Sequence, residues 1–363
     1  MREQFHRALR NAVFGTILLP VACSSGDGGS PTGPSNDVAS IEVTLPASVE
    51  ALKTVTGSAT ARNSSGTNVQ ATFTWTSSNT SVATVTNGVV RGISPGTATI
   101  TARSGSIEGT RSIQVATQNV NALVSDVRTT SGLPAMGGAL VTRDGIVALG
   151  VAGNRRITGG SAVTAADRWH IGSNLKAITA LLAAIAVDRN AISWTTTVAQ
   201  AFPELAASIR AEYQTVTLED LLSNRAGIRN DPPAAVYSGT TARAQRESLA
   251  AWALGATPAV AKGTYHYSNP GFVIAGAMVD RALNGTYEDL VTSLIATPLG
   301  VGGIGWGPTT VAGGNDQPVG HSRSGSTWLP CEACDNPPGL SAAGRAHMPL
   351  ATWARIIQEF LRA

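Results

Sequence analysis

Residues 168–188 read RWHIGSNLKAITALLAAIAVD, and the fold of the larger part of the chain hangs on them. Ala177 to Val187 is almost wholly apolar. It is well short of the roughly 20 residues a membrane span needs, and it suits a helix buried inside a protein core. Ser173 and Lys176 stand three residues apart at the start of that run, so they share a face in its first turn. A serine there has free backbone N–H groups and the positive end of the helix dipole beside it. A lysine one turn on can take the serine's proton once burial lowers its pKa from about 10.4. S-x-x-K alone is common in helices, and the plain alternative is a lysine that snorkels to solvent. Composition gives the motif weight. The chain has only three lysines, Lys53, Lys176 and Lys262, against 23 arginines. Arginine does not deprotonate and cannot serve as a base, so a lysine on the apolar side of a core helix asks for a reason.

Working outward, Tyr265-His266-Tyr267-Ser268-Asn269-Pro270-Gly271-Phe272 lies about ninety positions downstream, ahead of a helix read over Gly271–Ala282. Tyr267 offers a phenol that can relay protons. Asn269 offers an amide that can hold a substrate carbonyl or the lysine. Taken alone the triplet reads as a hydrogen-bonded turn; following S-x-x-K it becomes a partner to it. Upstream, Gly138–Thr142 and Ile146–Gly150 read as strands joined by the turn signal Arg143-Asp144-Gly145.

Together these features resemble the serine β-lactamase and penicillin-binding superfamily, in its class C and D,D-peptidase-like branch. They occur in family order: hairpin, S-x-x-K at Ser173–Lys176, then Leu221-Leu222-Ser223-Asn224-Arg225-Ala226-Gly227 where the family often has L-L-S-H-T-S-G, then Y-S-N at Tyr267–Asn269. The resemblance implies Ser173 as acylated nucleophile, Lys176 as its base partner, Tyr267 as proton relay and Asn269 as substrate contact. It also implies an oxyanion hole with the backbone N–H of Ser173 as first donor, no metal and no other cofactor. The substrates it implies are β-lactams, D-amino peptides or esters.

The family's third motif, K-T-G or H-x-G, does not follow Tyr267; His321-Ser322-Arg323 lacks the glycine. Pro337–Ser341 and a helix over Leu350–Leu361 resemble the segment just before the strand that carries it. The expectation is therefore a domain incomplete at its C-terminus, with a two-stranded hairpin whose edge is exposed and with poor or no activity. The competing reading is a non-catalytic surface adhesion or peptidoglycan-binding protein with an incomplete hydrolase-like domain.

Residues 37–118 carry another signature. Short alternating runs such as Ile41–Leu45 and Ala98–Ala102 are separated by turn clusters such as Asn63-Ser64-Ser65-Gly66. About seven such strands, with no helical periodicity, read as an antiparallel sandwich with Trp75 in its core. Within Trp75–Ala102, W-x-S-S-N, S-V-A-x-V, G-x-V-x-G and G-x-A-x-I-T-A follow in order and resemble the bacterial Ig-like domain of group 2. That resemblance implies a spacer or adhesion module, and the segment holds no cluster of acids, bases or nucleophiles.

Arg2, Arg7 and Arg10 precede an apolar stretch ending Leu18-Leu19-Pro20-Val21-Ala22-Cys23, which reads as a secretory signal over residues 1–22. Cys after the small residue resembles a bacterial lipobox. That would make Cys23 the lipidated first residue of an exported, envelope-anchored chain, with residues 23–36 as a Gly/Ser/Pro-rich tether. Ser24 in second place favours the outer membrane. Removing residues 1–22 lowers the formal charge from +3 to about +1, too little for a nucleic-acid or anionic-membrane footprint. Cys331 and Cys334 favour a local disulfide over a zinc site, which would want two more ligands at metal spacing. Gly320-His321-Ser322-Arg323-Ser324-Gly325 approaches the G-x-S-x-G elbow of α/β-hydrolases, but Ser324 replaces a glycine and no strand–turn–helix context is read around it. His170, His266 and His347 have no companions at metal or triad spacing and read as structural.

The expected architecture is multidomain: an all-β Ig-like sandwich (37–118), then an α+β β-lactamase-like domain (119–363).

Overall fold

The computed structural model describes residues 37–332 and 334–362. The expected signal, Cys23 and the tether lie outside them. Residues 37–116 form ten short strands: β1 (Ser40–Thr44), β2 (Ser48–Glu50), β3 (Thr54–Thr56), β4 (Ser58–Arg62), β5 (Asn68–Val69), β6 (Thr74–Ser77), β7 (Ala83–Thr86), β8 (Val89–Gly92), β9 (Gly96–Ser104) and β10 (Ile107–Ala116). They pair in the orders β1-β4-β5, β2-β10-β9-β6 and β3-β8-β7. Seven runs become ten because punctuation inside them interrupts the ladders; Pro46, lacking an N–H, separates β1 from β2. Alternation sets the inside: Ala98 and Ile100 of β9 share one buried cluster with Ile113 and Val115 of β10, and Ala102 is buried in a second cluster with Ile41 and Val43. Trp75 is partly buried and joins the two apolar clusters of this domain.

The chain leaves β10 still extended. As β11 (Gln118–Asn119) it pairs in parallel with β13 (Gly145–Gly153), whose antiparallel partner is β12 (Ala135–Thr142). The sheet is thus three-stranded, in the order β11-β13-β12, rather than the two-stranded hairpin expected from sequence. The interdomain segment supplies the third strand, because its free backbone groups meet the otherwise unpaired edge of β13. Helix α1 (Asn121–Ser131) packs on β13, and the last helix, α9 (Leu350–Arg362), packs on β12 and β13. Gln358 and Arg362 of α9 both donate to the Arg143 carbonyl in the hairpin turn. Val147 of β13 is buried in the apolar cluster of the Ig-like domain, and Thr117 donates to the Ile146 carbonyl at 3.0 Å. The two domains therefore meet at the hairpin.

Between α1 and α9 lies a helical body: α2 (Leu175–Asp188), α3 (Val198–Ala201), α4 (Leu218–Leu222), α5 (Ala242–Gly255), α6 (Asn269–Ala282), α7 (Tyr287–Val291) and α8 (Ser341–Gly344). Its core is Leu175, Ile178 and Leu182 of α2 against Ile274, Met278 and Val279 of α6. Strand β14 (Arg168–His170) runs directly into the turn that starts α2. It belongs to a small sheet with β15 (Gly305–Trp306) and β18 (Ala346–Pro349), in the order β14-β18-β15. As read from sequence, no strand leads into the near-elbow Gly320–Gly325 through Gly313–Pro318; a short strand lies within it. β16 (His321–Ser324) turns back as β17 (Thr327–Pro330), where Arg323 lies 5.7 Å from the Trp328 ring and Trp328 donates to the Gly132 carbonyl at 2.7 Å. A strand that returns as a strand carries no nucleophile elbow. Among the described residues no helix is long and apolar enough to cross a membrane.

Candidate active site

The helix read from the apolar run is present, and the nucleophile candidate sits just ahead of it. Gly172–Asn174 form a 3-10 turn, and α2 proper begins at Leu175. Ser173 is exposed, while Lys176 is 8% exposed, one turn on and facing into the protein. Burial of α2 on nearly all sides forces its one cationic side chain either to reach solvent or to find acceptors, and Lys176 finds acceptors. Its Nζ donates to Ser173 Oγ at 3.1 Å, to Asn269 Oδ1 at 2.7 Å and to the Ala343 carbonyl at 2.6 Å. The rings of Tyr267 and Phe272 stand 4.9 and 5.5 Å from the same nitrogen. Ser173 Oγ in turn lies 2.7 Å from the Tyr267 hydroxyl. The four residues singled out from sequence, Ser173, Lys176, Tyr267 and Asn269, thus form one connected group, although 94 positions separate Ser173 from Tyr267.

Electrostatics act on the two titratable members in a coupled way. Burial pushes the Lys176 ammonium below its ordinary value, with the neighbouring Tyr267 opposing. Burial alone would raise the Tyr267 phenol, but hydrogen bonding to Lys176 and Ser173 and the lysine's charge outweigh it and bring the phenol below its usual range. Both groups are thereby drawn toward the range in which a side chain exchanges protons near neutrality.

The Tyr267–Asn269 turn is held by residues to which sequence reasoning gave no role. Asn224 has a left-handed backbone (φ 57) within the Leu221–Gly227 stretch. Its carbonyl accepts from His266 N at 2.8 Å and its side chain from Ser268 N at 3.0 Å. Asn230 accepts from Asn269 N at 2.8 Å. Ser268 caps α6 by accepting from Gly271 N at 3.1 Å, with Pro270 in the first turn. The Leu221–Gly227 motif was a legible signal for this cradle. The Ala343 carbonyl was not legible, because a backbone acceptor leaves no mark in side-chain chemistry; only the small residues of Ser341-Ala342-Ala343-Gly344 hint at a close approach. Thr179, one turn beyond Lys176, donates to the Ala342 carbonyl at 2.7 Å and fastens α8 to α2. A cavity of about 490 Å³ shares Asn230 and His266 with this cradle and is lined also by Arg229 and Asp231. Cys331 and Cys334 are joined by a disulfide. Among the described residues no group of three or more His, Cys, Asp or Glu side chains is placed to hold a metal ion. Chemically, the arrangement offers a hydroxyl with a base on one side and a proton relay on the other, open to solvent where a carbonyl carbon would approach.

Comparison with known proteins agrees with this fold. Residues 120–362 match the family model described as Beta-lactamase, and residues 37–115 match that of the bacterial Ig-like domain, group 2. No curated protein matches the chain. Solved structures share the fold at low identity. The octameric penicillin-binding protein homologue from Pyrococcus abyssi is 20% identical, with a TM-score of 0.54 over 66% of this chain and 55% of that one. The D-alanine carboxypeptidase AmpC from Burkholderia cenocepacia is 20% identical, with a TM-score of 0.52 over 64% and 60%. A β-lactamase from Sulfitobacter sp. EE-36 is 18% identical, with a TM-score of 0.53 over 65% and 61%. The chain thus spans 55% to 61% of the length of these three structures.

Proposed function

This chain belongs to the β-lactamase family through residues 120–362, and from that premise we propose that it is an exported serine hydrolase acting through an acyl-enzyme on Ser173. The observation that carries the reading is the double contact of Ser173 Oγ, 3.1 Å from Lys176 Nζ and 2.7 Å from the Tyr267 hydroxyl. A neutral Lys176 accepts the serine proton through its lone pair while its two remaining N–H groups hold Asn269 and Ala343. Ser173 Oγ then bonds to the substrate carbonyl carbon. The bond from that carbon to the leaving nitrogen or oxygen breaks, and the proton passes through Tyr267 to the leaving group. Water cleaves the resulting ester and regenerates Ser173. Asn269 serves both as an anchor for Lys176 and as a contact for the substrate. The substrate class is a β-lactam, a D-amino peptide or an ester, and nothing in the reaction calls for a cofactor. Lipidation at Cys23 anchors the chain to the envelope, and the Ig-like domain presents the hydrolase from it.

The test is covalent labelling of the chain with a fluorescent penicillin and, separately, a fluorophosphonate, with Ser173→Ala as control. A label that maps to Ser173 and disappears in the control supports the reading. Absence of Ser173-dependent label with both probes overturns it in favour of a non-catalytic surface or peptidoglycan-binding protein.

A further inference from the structure

The mechanism above leaves unused a buried carboxylate directly behind the nucleophile turn. Asp335, its side chain 7% exposed, lies 2.9 Å from His170 Nε2 and 3.2 Å from Arg345 Nε. The other ring nitrogen of His170 accepts from the backbone N–H of Gly172 at 3.1 Å. These partners fix the imidazole's proton: Nδ1 carries the lone pair that takes the Gly172 N–H, so Nε2 carries the hydrogen given to Asp335. The relay ends on the residue immediately before Ser173. Gly172 has φ +51, in the left-handed region, where a glycine holds its conformation only as well as its surroundings hold it.

The same segment grips that turn from the other side. Asn336, next to Asp335, donates to the Gly344 carbonyl at 2.6 Å and accepts from Arg345 Nε at 2.9 Å. Gly344 packs so closely on the turn that a Cβ there would stand 3.3 Å from the Gly172 carbonyl carbon. The preceding residue, Ala343, supplies the carbonyl that holds Lys176. Asp335 and Asn336 follow directly on the disulfide between Cys331 and Cys334.

We propose that His170 and Asp335 are positioning residues for acylation, with the Cys331–Cys334 disulfide holding Asp335 in place behind the Gly172–Ser173 turn. They touch no reacting atom. They fix the direction of Ser173 through the Gly172 N–H, and Asn336 fixes the Lys176 acceptor through Gly344. The inference rests on the reading of Ser173 as the acylated residue.

The test is the acylation rate of the full chain by a fluorophosphonate, measured against probe concentration, with thermal melting as the folding control. His170→Leu and Asp335→Ala lower the maximal acylation rate by about 10- to 100-fold and leave the half-saturating probe concentration nearly unchanged, the expected cost of a small misdirection of the nucleophile. His170→Asn keeps an acceptor for the Gly172 N–H, and Asp335→Asn keeps one for His170; both recover most of the rate. The Cys331→Ser/Cys334→Ser variant loses rate in the wild-type background and loses nothing further in Asp335→Ala. In parallel, Gly172 amide exchange quickens in His170→Leu and not in His170→Asn. Unchanged rates in His170→Leu and Asp335→Ala overturn the proposal. Equal losses in the leucine and asparagine variants at position 170 overturn it too, by assigning the effect to general packing. A Ser-for-Cys pair that labels like the wild type removes the disulfide from it. Failure of the wild type to label at Ser173 overturns the reading beneath it instead, and Gly172 exchange still tells the two failures apart.

Discussion

Replacing Lys176 with methionine removes one nitrogen and tests most of the proposed chemistry at once. Methionine is of similar length and keeps the apolar stem, so what is lost is the nitrogen and its bonds to Ser173, Asn269 and Ala343. Loss of a positioned base lowers acylation by about 10²–10⁴-fold, which is roughly 3–5 kcal/mol of barrier. Stability responds in a way that a bystander lysine would not reproduce. Lys176 and Tyr267 both lie below their ordinary values in the folded chain. Between the depressed folded value and the unfolded value of about 10, the unfolded state binds more protons, so unfolding free energy rises with pH in that window. Methionine at 176 removes the lysine's titration and the charge that depresses Tyr267, so that rise flattens. The assays are fluorophosphonate labelling across pH and urea unfolding at neutral and alkaline pH. Lys262→Met is the control, since Lys262 is a surface lysine bonded to the Thr215 carbonyl and paired with Asp220. Labelling of Lys176→Met within about threefold of wild type at every pH, far under the loss expected of a removed base, would refute the reasoning, as would an unaltered alkaline rise in stability.

Other consequences follow from the same geometry. Arg246, fully buried, donates two hydrogen bonds each to Asp280 and Glu288; Arg246→Met strands the two carboxylates and costs about 3–5 kcal/mol, or roughly 6–20 °C in melting temperature, and adding Asp280→Leu recovers part of it. Asp280 itself, pushed up to about 6 by burial against the pull of Arg246, binds its proton more tightly folded than unfolded, so its contribution to stability falls as pH rises from about 4 through 6; in Asp280→Asn that fall is absent from the pH–stability curve. Gly172→Ala meets no neighbouring atom but a strained backbone, so unfolding free energy falls by about 1–2 kcal/mol while Ser173 labelling falls further. Val147→Ala, at the contact between the domains, costs about 1–3 kcal/mol and separates the calorimetric melting of the two domains.

The chemistry-bearing residues were legible in the sequence because their types are scarce or their spacing is local. One lysine among three falls on an apolar helix three residues after a serine, and Tyr267-Ser268-Asn269 is a contiguous triplet. Helix α2 and the β12–β13 hairpin were legible too, since hydrophobic period and turn chemistry are properties of neighbours along the chain. Tertiary structure alone decided the rest. A backbone carbonyl such as that of Ala343 is the same group at every position, and only packing of α8 against α2 turns it into a partner for Lys176. Strand β11 exists because a spent linker met an unpaired edge, which no property of Gln118 and Asn119 announces. His170 read as a histidine without companions because its companion, Asp335, is 165 residues away and its other partner is a main-chain N–H. Sequence fixes what a residue can donate, accept or titrate; the fold decides which of those capacities meet.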